Sequence, residues 1–281
     1  MDLYPERKID EFRLELDAAH DVLYYPLNGE NEISKPHSHN FLLLVLFETG
    51  SGVHSIDFIN YDIRPKQLHI LFPDQVHSWK LDANSKVHQL MVDSKVFDII
   101  GNAFRFGFAL YRKHPVFDLE QADYDKLLHE FLTVRNNLDE VPVLLDLVVA
   151  RMYVVILMMS QIGERVFDNL TVFLKQPILT DYLALIDKHF LEERSVSFYA
   201  AQLNITANYL NVLCKKHFFC KATDMIDERV LLETKRLLIS GHTIKDTAYK
   251  LEFSDVAYFS RYFKLKTGLT PKEFKDQYSC S

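Results

Sequence analysis

Two groups of side chains have the types and spacing to do chemistry. Near the C-terminus, Asn208, Asn211, Lys215 and Lys216 recur on one short segment, and Ser260, Arg261, Lys264 and Lys266 on another. Asn can hold adenine through two hydrogen bonds, Arg can grip guanine in the same way, and Lys reaches guanine or a phosphate. Near the N-terminus, His37 and His39 form a His-x-His pair, with His54, His69, His77 and His88 further on. Imidazole is a metal ligand, so a three-histidine site is open; equally, these rings can line a pocket or make hydrogen bonds in a core.

The first group needs a scaffold that holds it outward, and the sequence supplies one twice. At an offset of 48 to 49 residues, Ala200 and Leu203 repeat as Ala248 and Leu251, and Tyr209, Leu210 and Lys215 repeat as Tyr258, Phe259 and Lys264. Each copy predicts a short helix (196–203; 244–251), a tight turn and a second helix (207–216; 255–266), the pattern of a helix-turn-helix. Thr206 and Ser254 stand where the second helices need N-caps. Tyr209, Leu210 and Leu213 are expected to face the core, as are Phe259, Tyr262 and Phe263. Asn208, Asn211, Val212 and Lys215 then face outward on one helix, and Val256, Ala257, Ser260 and Arg261 on the other. Between the copies, 224–239 predicts a longer helix closed by Gly241.

The second group sits in a different kind of sequence. From Phe41 to Val92, FLLLVLF, HSIDFI, QLHILF and VHQLMV read as short strands, with breaks at 48–52, 60–62 and 73–75. Such strands predict an antiparallel sandwich or small barrel. Helices are predicted at 123–137 and 142–165. In the second, Leu145, Val148, Met152, Val155, Met159 and Ile162 form an apolar stripe expected to pair in a homodimer. The expected domains are 1–167 (barrel about 20–95, helices about 96–165), a linker at 168–180, and 181–281. The expected fold class is therefore α+β.

Composition narrows the function. The chain has 281 residues, 48% hydrophobic and 25% charged, as a folded protein should. Its net charge of −7 is uneven: residues 175–281 hold 16 Lys and Arg against 13 Asp and Glu, and residues 1–174 hold 16 against 26. A mildly basic C-terminal part on an acidic body suits a chain in which one domain meets phosphate. The three cysteines show no metal-ligand spacing and read as thiols in a reducing cytoplasm. The charged N-terminus does not read as a signal peptide. The longest unbroken apolar run, 152–159, is far short of the ~20 residues of a membrane span.

The segment DTAYKLEFSDVAYFSRYFKLKTGLTPKEFK resembles the C-terminal signature of the AraC/XylS family of bacterial transcription regulators. The stretch HSHNF, GSGVHSIDF and LFPDQVHSW resembles the cupin-like sensor domain of many members. The resemblance implies a cupin-like N-terminal domain and an all-α DNA-binding domain of two helix-turn-helix units. It places base reading at Asn208, Asn211, Val212, Val256, Ala257, Ser260 and Arg261. Thr206, Lys215, Lys216, Ser254, Lys264 and Lys266 are then phosphate contacts. It implies an activator in the bacterial cytoplasm, on the nucleoid, that binds double-stranded DNA, a small effector and RNA polymerase, with no enzymatic activity. His37, His39, Phe41, His54, Phe72, His77 and Trp79 are the expected effector pocket. Cupin enzymes add a carboxylate shortly after the His-x-His pair, and here that stretch is FLLLV, so no metal or cofactor is expected. The alternatives are a cupin-type metal enzyme with an appended DNA-binding unit, and a regulator controlled by a protein partner. The chain departs from the family pattern at Glu252, where Gly is usual in the turn, at Phe219 and Ala222 after the first recognition helix, and at Cys214 in place of Phe.

Overall fold

The computed structural model describes residues 6–16, 20–106, 108–167, 177–218 and 220–279. They fall in two compact units, 5–169 and 170–281. Of the expected linker, 168–176 lie outside the described residues, as do Phe219 and Cys280.

The first unit contains β1 (Glu6–Arg7), α1 (Ile9–Leu16), β2 (Val22–Asn28), β3 (Asn31–His39), β4 (Leu42–Thr49), β5 (Gly52–Ile56), β6 (Ile59–Ile63), β7 (Gln67–Leu71), β8 (His77–Leu81) and β9 (Lys86–Val92). After these come α2 (Ser94–Ile100), α3 (Phe108–Lys113), β10 (Val116–Asp118), α4 (Gln121–Leu138) and α5 (Leu145–Val166). The strands make a sandwich of two sheets, ordered β1-β3-β8-β5-β6 and β10-β7-β4-β9-β2. HSIDFI is not one strand. Asp57 and Phe58 take positive φ, 48° and 70°, and form a two-residue hairpin turn between β5 and β6. The break expected at 60–62 is accordingly strand β6. Gly52 has φ 136°, and a Cβ there would stand 1.9 Å from the Lys80 carbonyl oxygen, so no larger residue fits where β5 meets β8.

Strand β4 is apolar from Leu42 to Phe47 because both its faces are covered there. Leu43, Val45 and Phe47 belong to the interior cluster between the sheets, and Leu42, Leu44 and Leu46 are equally buried on the opposite face. Helix α4 packs on β2 and on α5, and α3 packs on β7, forming a helical layer outside the sandwich. This layer corrects the dimer expectation. Val148, Met152, Val155, Met159 and Ile162 are buried within their own unit, and Leu145 alone of the stripe is exposed. An apolar stripe marks the buried side of a helix, and here the chain's own fold covers it. By length and hydropathy α5 is the one described helix that could cross a membrane, yet this stripe packs as that of a core helix does.

The period of two in each strand sets the interior of the sandwich. His37 and His39 on β3, His54 on β5, His69 on β7 and His77 on β8 all face inward and are buried, as is Trp79. His69 is held neutral by burial, which lowers its pKa to about 3.

The second unit contains α6 (Pro177–His189), α7 (Val196–Gln202), α8 (Ala207–Phe218), α9 (Ala222–Ile239), α10 (Ile244–Lys250), α11 (Val256–Thr267) and α12 (Pro271–Ser279). The two helix-turn-helix turns have one geometry. After α7, Ile205 N–H donates to Ala200 O at 2.9 Å and Asn204 N–H to Ala201 O at 3.0 Å; after α10, Phe253 donates to Ala248 at 2.9 Å and Glu252 to Tyr249 at 3.0 Å. These are the paired bonds of a Schellman cap, whose extra residue must be left-handed. Asn204 and Glu252 both have φ 55°. The long helix starts at Ala222, two residues earlier than expected, and Gly241 follows its end with φ 93°.

Glu252→Gly should stabilise the second unit by about 1 kcal/mol, because it removes the side-chain clash of a left-handed residue. Denaturant melts followed by helical signal measure this, and a neutral or destabilising result would overturn it. Acid should act on the first unit. An unfolded histidine takes up a proton near its ordinary 6.5, whereas His69 in the fold stays neutral down to about 3. Between those values the unfolded state binds more protons, so stability present above pH 6.5 is lost as pH falls. With chelator present, His69→Leu should flatten that dependence by up to about 1.4 kcal/mol per pH unit.

Candidate nucleic-acid interface and ligand cavity

In α8 the buried side is Leu210, Leu213 and Cys214, and in α11 it is Phe259 and Phe263. Tyr209 does not face the core as expected; it is 45% exposed, and its repeat partner Tyr258 is 49% exposed. Tyr209 and Tyr258, legible in the sequence as a repeat, are both displayed beside the recognition face. Asn208, Val212, Lys215 and Lys216 are exposed on α8; Ala257, Arg261 and Lys264 are exposed on α11, with Val256 and Ser260 half-buried. Arg261 has no hydrogen-bond or ion-pair partner among the described residues, so its guanidinium projects unengaged. The Ser260 hydroxyl donates to Val256 O at 2.8 Å, which leaves its oxygen as an acceptor.

Two expected DNA contacts and one expected cap change role. Asn211 donates from Nδ2 to Ala207 O at 3.1 Å and accepts from Ala222 N–H at 3.1 Å. The first amides of a helix have no intrahelical acceptor, and Asn211 supplies one for α9. It is a joint between α8 and α9, with its amide nitrogen and its amide oxygen both engaged inside the domain. Lys266 is paired with Asp227 of α9 at 2.7 Å, so its charge is met inside the domain. Ser254 is not the cap of α11: Asp255 takes that place and accepts from Tyr258 N–H at 2.7 Å. Thr206 does cap α8, accepting from Tyr209 N–H at 3.1 Å.

Helix α9 holds the two helix-turn-helix motifs together. Tyr182 of α6 donates to Ala222 O at 2.8 Å, Arg229 bonds Asp187 of α6 at 2.8 Å, and Tyr262 of α11 donates to Asp227 Oδ1 at 3.2 Å. Arg194, before α7, donates to the Leu251 carbonyl and lies 4.0 Å over the Phe253 ring, tying the first helix-turn-helix motif to the turn of the second.

In the other unit, a cavity of about 150 Å³ opens inside the sandwich. His37, His39, His77 and Trp79 line it, with Arg7, Tyr25, Asn31 and Gln89. The last four escaped the sequence reading; only the alternation Val87, Gln89, Met91 along β9 signals an inward polar group. Phe41 stacks on His39 with ring centres 4.5 Å apart, and His54 sits behind His77, fully buried. Phe72 does not belong to this pocket. Its ring packs against Phe97, Phe104 and Phe108 in the helical layer, because it falls one residue past the end of β7.

The histidines that look unpartnered in sequence are all engaged. His37 Nε2 lies 3.0 Å from His39 Nε2, which lies 3.3 Å from His77 Nε2. His77 Nδ1 is 3.0 Å from His54 Nε2, His54 Nδ1 is 2.8 Å from His69 Nδ1, and His69 Nε2 is 3.2 Å from Gln67 Oε1. His88 faces away from the others and meets Tyr24 at 2.6 Å and Glu48 at 3.0 Å. Burial holds His37 down to about 4 and His39, His54 and His77 well below the ordinary imidazole value. The cavity therefore presents neutral rings, with Arg7 as its cation.

Two family models match this chain, one in each unit. Residues 199–277 match the family model of a helix-turn-helix domain, and residues 20–100 match that of the AraC-like ligand binding domain. An uncharacterized HTH-type transcriptional regulator in the cgkA 5' region of Pseudoalteromonas carrageenovora is 23% identical over 105 residues, 36% of this chain and 61% of that protein. The alignment thus spans less than two thirds of that relative. Among solved structures, ToxT from Vibrio cholerae is 14% identical with a TM-score of 0.44, covering 92% of this chain and 98% of its own. A DNA-binding transcriptional dual regulator from Escherichia coli K-12 is 20% identical with a TM-score of 0.34, covering 37% and 94%. With a ligand-binding sandwich of the AraC type followed by two helix-turn-helix units, the chain belongs to the AraC/XylS family of transcription regulators.

Proposed function

We propose that this chain reads a specific DNA sequence with the exposed faces of α8 and α11, and that a small effector in the sandwich cavity controls it. The observation that carries this reading is the repeated Schellman turn, which presents two short helices outward with their bases, Leu210 and Phe259, buried. Asn208, Val212, Val256, Ala257, Ser260 and Arg261 are the base-reading set. Thr206, Lys215, Lys216, Ser254 and Lys264 contact phosphate, and the exposed tyrosines Tyr209 and Tyr258 flank them. The strut α9, with 18 residues, is about 27 Å long, a scale that suits two faces entering successive major grooves about 34 Å apart. The chain acts as an activator in the cytoplasm, engaging RNA polymerase, and not as an enzyme. The cavity is smaller than the usual 300–1,000 Å³ of a drug-sized site, so the effector is a small molecule with a polar or anionic group for Arg7, Asn31 or Gln89.

The chain acts as a homodimer through the side of α5 opposite the buried stripe. Ala150, Val154 and Leu157 are exposed there, and Leu147 and Met158 half-exposed, an apolar face unusual on a solvated helix. Val154→Glu with Leu157→Glu should leave a folded monomer in sedimentation; a persistent dimer would place the interface elsewhere.

Arg261→Ala should cost about 1–3 kcal/mol on the preferred site and relax selection at one or two base pairs. Lys215→Ala should weaken binding to all sequences alike and lower the salt slope by about one unit, since a phosphate contact releases a counterion and reads no base. Gel-shift titrations at two salt concentrations, on selected and scrambled duplexes, measure both. Equal loss on the two duplexes for Arg261→Ala would refute the base-reading assignment.

A further inference from the structure

We propose that His37, His39 and His77 bind one divalent transition-metal ion of the zinc class through their three Nε2 atoms, inside the sandwich. The ligand atoms of these three buried residues lie within 4.8 Å of one another. The site belongs to residues 5–169 and is independent of the DNA-reading assignment.

The proton count of the cluster carries the argument. Gln67 is fixed from outside: its Oε1 accepts from Arg64 N–H at 2.9 Å and its Nε2 donates to Asp118 Oδ1 at 2.8 Å. His69 Nε2 therefore faces an acceptor and must carry a proton. A neutral imidazole has one N–H and one lone pair, so His69 Nδ1 is bare. His54 Nδ1 must then donate to it, which leaves His54 Nε2 bare, and His77 Nδ1 must donate in turn. His77 consequently presents a bare Nε2 to His39. His37 Nε2 points at His39 Nε2 as well. His39 Nε2 thus has two nitrogen neighbours: carrying a proton it can donate to only one of them, and without one it faces the bare Nε2 of His77. No neutral arrangement satisfies both contacts.

A cation resolves the conflict, because it accepts three lone pairs at once. The dimensions agree. An ion with tetrahedral angles and Zn–N bonds of ~2.0–2.1 Å sets its nitrogens ~3.3 Å apart. The two closest separations are 3.0 and 3.3 Å. A metal-bound histidine commonly donates its other N–H to a fixed acceptor, and the chain from His77 to Asp118 is such a support, reaching across to the second sheet. Three neutral ligands with no carboxylate leave the ion's charge uncompensated, and the ligands line the cavity beside Arg7. The remaining coordination position suits water or a small anion.

The test uses full-length protein stripped with chelator, then titrated with Co²⁺ followed by visible absorption and with Zn²⁺ followed by calorimetry. One ion should bind per chain. His37→Ala and His39→Ala should abolish the cobalt absorption. His54→Leu, which removes the acceptor for His77, should weaken binding about 10–100-fold. His88→Gln, a buried histidine outside the cluster, should bind as the wild type does. Should the ligand variants fail to fold, X-ray absorption at zinc bound to the unaltered protein should show three imidazole ligands. No stoichiometric binding, fewer than three imidazoles, or retained binding in a folded His37→Ala/His39→Ala variant would overturn the assignment.

Discussion

A left-handed residue between two short helices is the constraint on which the DNA-binding half depends. A helix can turn sharply into the next only if one residue takes positive φ and its neighbours' amides find the carbonyls left open at the helix end. Asn204 and Glu252 take that conformation, and four backbone hydrogen bonds close the two turns identically. The small Ala200 and Ala248 lie buried where the helices cross. Asn tolerates the left-handed region through its short polar side chain, whereas Glu carries the steric cost of its Cβ and is held there by the surrounding packing.

Once the turns are set, α9 decides how the two recognition helices relate. Its first amide is met by Asn211 of α8, its Asp227 is met by Tyr262 and Lys266 of α11, and its Arg229 is met by Asp187 of α6. These contacts use polar groups that would otherwise be candidates for DNA. A side chain shared between the scaffold and the ligand cannot serve both, so the engaged Asn211 and Lys266 separate from the unengaged Arg261. The same reasoning divides the tyrosines: Tyr262 is anchored, Tyr209 and Tyr258 are displayed.

In the ligand-binding half, the polar interior follows from the sheet period. Strands that alternate every two residues put both histidines of His-x-His on one face, and the second sheet brings His69, backed by Gln67, to His54, which in turn meets His77. Burial makes these rings neutral, and neutrality makes their proton arrangement directional. A chain anchored at Asp118 and Gln67 on one sheet thereby fixes which nitrogen a histidine on the other sheet exposes.

The sequence by itself determined the elements and the repeat. Apolar spacing located α4, α5 and both helix-turn-helix units, and the resemblance to the AraC/XylS signature marked Glu252 as standing where a turn glycine is usual. It also named Arg261, Lys215 and the His-x-His pair. Periodicity reports which residues share a face; it does not report what that face meets. Only the tertiary structure decided that the stripe from Val148 to Ile162 is covered by its own unit, that Phe72 leaves the sandwich for the helical layer, and that Asn211 caps α9 while Tyr209 stays exposed. The convergence of His37, His39 and His77 was undecidable for the same reason. Residues forty positions apart come within hydrogen-bond distance only through strand pairing, and the register of β3 against β8 is a property of the folded sheet and not of either strand.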